Sequence, residues 1–115
     1  SLSRAANIPA RFVMGYPIPK EQNGIISSYH CWAEFYSAEQ GWIPVDISEA
    51  SKYPDRKEYF FGTVDQNRVH FTTGRDIKLN PPQLTERLNY FIKPYIEVDD
   101  VIWHKYKLKI LYKNL

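Results

Sequence analysis

His30-Cys31-Trp32-Ala33-Glu34-Phe35-Tyr36 and Gly41-Trp42-Ile43-Pro44-Val45-Asp46, joined through the polar segment Ser37 to Gly41, decide the fold of this chain. Both runs are rich in strand-favouring residues and are separated by turn formers, so together they read as a β-hairpin. Alternate side chains of a strand share a face. His30, Trp32, Glu34 and Tyr36 therefore point one way, while Cys31, Ala33 and Phe35 point the other and, being apolar, are expected in a core. Closing the hairpin over Ser37 to Gly41 sets Tyr36 opposite Trp42 and Trp32 opposite Asp46, with His30 diagonal to Asp46 on the same face. Diagonal neighbours lie about 7–8 Å apart at the backbone, close enough for an imidazole to meet a carboxylate.

A histidine that accepts and returns a proton, with a carboxylate fixing its tautomer and stabilising the imidazolium, is what nucleophilic catalysis requires. The nucleophile itself is missing. Cys31 is the only cysteine, and as the immediate neighbour of His30 on a strand it should carry its thiol on the opposite face of the sheet. It reads as a buried apolar cysteine instead. A lone cysteine also excludes an internal disulfide framework and leaves the redox compartment open.

Outward from the hairpin, Leu2, Ala5 and Ala6 have the spacing of one helical face, and Asn7 followed by Pro9 signals a helix end, so Ser1 to Asn7 reads as the last turns of a helix. So short a helix is marginal in water, and its beginning is expected upstream. Ala10 to Tyr16 reads as a strand, Pro17 to Gly24 as a loop, and strand character resumes at Ile25 or Ile26 and runs to Tyr36. Residues 47–62 read as a loop with one or two helical turns, capped by Ser48 and interrupted by Pro54. Arg68 to Thr73 is a predicted strand, and Leu88 to Val98 a longer one with an edge or bulge at Pro94. Asp99 and Asp100 supply a turn. From Lys105 to Lys113, lysines alternate with Tyr106, Leu108, Ile110 and Tyr112, the period of a half-buried strand. The class is α+β, mainly antiparallel sheet, and no repeat or linker divides residues 1–115 into more than one domain.

Composition narrows the function. With 43% hydrophobic and 16% aromatic residues the chain can bury a core. Fifteen basic against thirteen acidic residues is too even a balance to imply nucleic acid. No apolar run approaches the roughly 20 residues that span a bilayer, so no membrane partner is expected, and no secretory leader is visible.

The order Arg4, Ile8-Pro9-Ala10-Arg11-Phe12-Val13, Gly15-Tyr16, His30-x-Trp32-x-Glu34-x-Tyr36, Gly41-Trp42 and Pro44-x-Asp46 resembles the transglutaminase-like superfamily. Arg68, Gly74-Arg75-Asp76 and the segment around Asn89 to Glu97 are similar to the trailing part of microbial members. The resemblance implies half of a papain-like core, that is, a single truncated domain, and a thiol mechanism on protein or peptide amides through an acyl-enzyme. It matches His30 to the general base and Asp46 to its orienting carboxylate. It also implies a cysteine opening the helix upstream of Arg4, where the helix-end partial charge favours thiolate. Alone, the chain is expected to be silent, and the upstream segment of its parent is needed to complete the domain. Hydrolysis is favoured over crosslinking by analogy with bacterial relatives. Asn7, where glycine is common, suits a left-handed cap.

Trp32 and Glu34 share the face of His30 and are candidates for the substrate cleft, Glu34 more as an ion-pair partner than as an acid. Trp42 reads as packing. His70 and His104 lack partners at ligand spacing, so no metal or cofactor is expected. The lysine row reads as a solvated face protecting a terminal strand. The rival reading is a noncatalytic binding module that keeps the sheet without the chemistry.

Overall fold

The computed structural model describes residues 2–115. A short helix, α1 (Leu2–Ala5), ends where Asn7 turns into the left-handed region at φ 56°. The Asn7 N–H then bonds Arg4 O and the Ile8 N–H bonds Ser3 O, the two reversed bonds that close helices ending in glycine or asparagine. Ser1, the first residue of the predicted helix, lies outside the described residues.

Four antiparallel strands form the main sheet: β1 (Ala10–Pro17), β3 (His30–Ser37), β4 (Gly41–Val45) and β5 (Arg68–Thr73), in the order β4-β3-β1-β5. Tyr36 pairs with Trp42 and Ala33 with Val45. Gly41, at φ 78°, closes the hairpin in a conformation that glycine adopts without strain. Between β1 and β5 the register shifts at Met14/Gly15, with Met14 opposite Thr72 and Gly15 opposite His70, so Phe71 is the extra residue of a bulge.

The predicted strand from Ile25 or Ile26 to Tyr36 is two strands. The first, β2 (Asn23–Ile26), leaves the main sheet and pairs with β8 (Ile110–Lys113). The long C-terminal strand predicted from Lys105 is regular only over β8, where Ile110 and Tyr112 are half-buried and Leu111 and Lys113 exposed. The predicted strand Leu88 to Val98 is not formed: Leu88 makes an isolated bridge to Ile77, and only β6 (Glu97–Val98) is regular, pairing with β7 (Val101–Ile102). Its backbone is engaged by side chains instead. Thr72 Oγ1 donates to Phe91 O at 2.6 Å, and the Tyr16 hydroxyl donates to Ile92 O. Asp99 and Asp100, at φ 50° and 60°, make the β6–β7 turn in the doubly left-handed form that matches strand twist.

Between β4 and β5 lie α2 (Ile47–Lys52), a 3₁₀ turn (Pro54–Arg56) and α3 (Lys57–Phe60). Phe60, 1% exposed, packs against Tyr53 and Tyr59, and its carbonyl accepts the Asp46 N–H at 2.9 Å, just past the end of β4. The molecule is a flattened body of 50 × 41 × 23 Å. Its radius of gyration is 16.8 Å, against about 13 Å for a compact domain of this length. No helix among the described residues is long and apolar enough to cross a membrane.

Candidate active site

Antiparallel pairing brings the end of β4, the start of β3, the end of β1 and the start of β5 to one end of the sheet. His30 opens β3, Asp46 follows β4, and Arg68 opens β5. The site forms there. His30 Nε2 lies 2.6 Å from Asp46 Oδ2, and Arg68 Nη1 donates to the same oxygen at 2.5 Å. The other oxygen, Oδ1, accepts the Glu49 N–H at 3.0 Å, which makes Asp46 the N-cap of α2. The sequence had suggested Ser48 as the cap. Asp46 holds that position because its side chain stands one turn ahead of the orphan N–H groups, satisfying one of them.

Asp46 is fully buried. Burial alone would raise its pKa, but the Glu49 N–H, the Arg68 guanidinium and His30 outweigh that effect and hold the carboxyl below its ordinary range. It is therefore an anion at neutral pH. With Nε2 committed to Asp46, the second ring nitrogen of His30, Nδ1, makes no hydrogen bond among the described residues. The His30 side chain is 19% exposed and reaches a cleft of about 370 Å³ whose walls include Tyr29, Glu49, Lys52 and Arg68.

Gly15 is what lets the site close. Facing His30 across β1–β3, it leaves room for the Trp32 ring: a Cβ there would stand 2.1 Å from Val69 O and 2.9 Å from Trp32 Cη2. Trp32, 5% exposed, packs edge-on to His70 at 6.0 Å and supports the Arg68 guanidinium 5.6 Å above its ring. A buried cation over an indole is stabilised by both the ring and its carboxylate partner.

Trp32 and Glu34, expected at the substrate cleft, are not among the walls of the cleft that His30 reaches. Trp32 is interior to the same face. Glu34 accepts from Arg11 Nε at 2.5 Å, and the Arg11 guanidinium lies 4.0 Å above the Trp42 ring, so the three form an ion-pair and stacking group farther along the sheet. Cys31 is on the opposite face from His30, paired with Met14. It is exposed, not in a core. The 91–92 segment that covers this face bonds to β1 and β5, which buries Met14 to 3% and leaves the β3 side open.

Arg68 is the residue that sequence reasoning missed at the site. On β5 it pairs with Pro17 of β1, and its parity with His30 becomes visible only once the β1–β5 register and its bulge are known. Among the described residues no cluster of three or more His, Cys, Asp or Glu side chains is arranged to hold a metal ion.

Residues 1–47 match the model of the Transglutaminase-like superfamily. The matched segment is the one that carries β1, the β3–β4 hairpin, His30 and Asp46. A Haemophilus influenzae protein described as uncharacterized is 33% identical over 129 aligned positions, which cover 85% of this chain and 35% of the relative. The chain thus spans about a third of that relative's length. No solved structure matches the chain.

Proposed function

We propose that this chain is the base-bearing part of a transglutaminase-like cysteine enzyme that acts on protein or peptide amides. What supports this most is the His30–Asp46 contact of 2.6 Å, with the second ring nitrogen unengaged among the described residues and the first held by a buried carboxylate. In this reading Asp46 keeps the proton on Nε2, so Nδ1 is the nitrogen that takes a thiol proton.

The thiol comes from polypeptide outside these 115 residues, because Cys31 points away from the imidazole. The thiolate attacks the amide carbonyl carbon, and the C–N bond breaks as the amine leaves with the proton held by His30. Water or an amine then attacks the thioester, giving its proton to His30, and sulfur departs as thiolate. Hydrolysis is the favoured outcome on the analogy with bacterial relatives.

The test compares this chain with a longer polypeptide that carries the preceding sequence, using a glutamine-containing peptide with and without an amine donor. Turnover is expected only from the longer protein, falling by about 10³-fold or more in its His30→Ala variant, since members of such a catalytic unit act together. Turnover by the 115-residue chain alone would overturn the proposal. A longer protein that binds the peptide without turning it over would favour the binding module.

A further inference from the structure

Resting on the reading of His30 and Asp46 as a pair, we infer that Arg68 is its third member: a positioning residue that holds Asp46 toward the imidazole and, by drawing on the same oxygen, limits how tightly that carboxylate retains a proton on His30.

Two donors converge on Asp46 Oδ2, His30 Nε2 at 2.6 Å and Arg68 Nη1 at 2.5 Å. The geometry puts the guanidinium and the ring nitrogen no farther apart than about 5 Å, where two cations repel each other even in a partly screened site. Arg68 cannot lose its proton. Its side chain is 7% exposed and Asp46's 1%, so water screens this contact poorly. When His30 becomes cationic, one buried carboxylate has to serve two cations.

A base that must release its proton to a leaving amine gains from that arrangement. An imidazole facing an undivided buried carboxylate would hold its proton more strongly and return it more slowly.

The remaining charges around His30 do not reproduce the effect. On α2, Lys52 binds Glu49 at 2.7 Å. Across the cleft, Arg56 and Arg68 face Asp65 at 3.6 and 3.7 Å. Lys20 and Tyr29 line the same cleft, but neither bonds Asp46. Arg68 also has a structural role, tying the start of β5 to the cap of α2, so loss of stability on its removal would not distinguish the two roles. The proton equilibrium of His30 does.

The experiment follows the His30 ring and the Arg68 guanidinium by NMR in the isotopically labelled 115-residue chain across pH. Arg68 signals are expected to move with the same midpoint as the His30 ring, and that inflection is expected to vanish in His30→Gln. In Arg68→Gln, which keeps a hydrogen-bond donor but no charge, the proton affinity of the ring should rise about tenfold. Arg68→Lys should return it toward the parent. Arg68 signals that stay flat while His30 titrates would overturn the inference, as would a folded Arg68→Gln chain with an unmoved ring midpoint. The measurement on the parent chain decides even where Arg68→Gln does not fold. It also needs no turnover, so a failure of the proposed enzymatic reading would show in the peptide assay and not here.

Discussion

Asp46 lies at the junction of β4 and α2 and bonds Arg68, 22 residues away in sequence, while its second oxygen caps the helix. One fully buried side chain thus joins two strands and a helix. Replacing it with alanine strands the Arg68 guanidinium without its carboxylate and uncaps α2. The expected cost is about 3–5 kcal/mol, the range for breaking a buried pair by removing one partner. Asp46→Asn, which retains an acceptor for Glu49 N–H, should cost less. His30→Ala should stay within about 1 kcal/mol, since it leaves the Arg68 and Glu49 bonds to Asp46 in place. Urea unfolding followed by tryptophan fluorescence gives all three, and equal losses for His30→Ala and Asp46→Ala would show that Asp46 is not the anchor.

The depressed pKa of Asp46 makes stability depend on acid. The sign follows from linkage: in the unfolded chain the carboxyl titrates near 3.8, and in the folded chain lower. Its contribution is complete above the unfolded value and is lost as pH falls through the folded one. The chain should therefore lose stability below about pH 4, and Asp46→Asn should flatten that dependence. Urea midpoints measured at several acidic pH values check this, and identical slopes for the two chains would contradict it.

Gly15→Ala places a methyl group 2.1 Å from Val69 O, backbone that cannot move without breaking the β1–β5 ladder, and 2.9 Å from the Trp32 ring. A loss of about 2 kcal/mol or more is expected. Gly62→Ala meets nothing within 4 Å and should change stability by no more than about 0.5–1 kcal/mol. Thermal melting of the two variants side by side tests the contrast.

The Cys31 thiol, exposed on the face away from His30, should react with iodoacetamide in the folded chain. Labelling by itself therefore does not mark a nucleophile. The informative comparison is the rate in His30→Ala: it should match the parent, because no imidazole reaches the thiol to activate it. A rate that falls severalfold in His30→Ala would place the two groups in contact and revise the sheet register around β3.

Much of the candidate site is legible in the sequence, because one local feature controls its geometry. A tight turn over Ser37 to Gly41 sets Tyr36 against Trp42, and strand alternation then carries His30 and Asp46 to one face with no further information. The α+β class, the left-handed Asn7 and the strand over Arg68–Thr73 were legible for the same reason, since each depends on neighbours in sequence. What was not legible is non-local. Leu88 to Val98 has strand composition, yet its carbonyls are taken by Thr72 and Tyr16 from elsewhere in the fold. The alternation from Lys105 onward becomes regular only where β2 supplies a partner. Cys31 matched the core by character, and its exposure reflects which part of the sheet the 91–92 segment covers. Arg68 reaches Asp46 only through a bulge that no short window of sequence announces.

The double duty of Asp46 bears on how any change at this site is interpreted. A descendant that gave up chemistry and kept only recognition would still need the carboxylate to start α2 and to neutralise Arg68, so selection for folding alone would preserve it. Persistence of the aspartate is thus poor testimony to turnover. The imidazole, which neither the α2 cap nor the Arg68 cation depends on, would be free to drift in such a descendant, so position 30 is where the two histories would part.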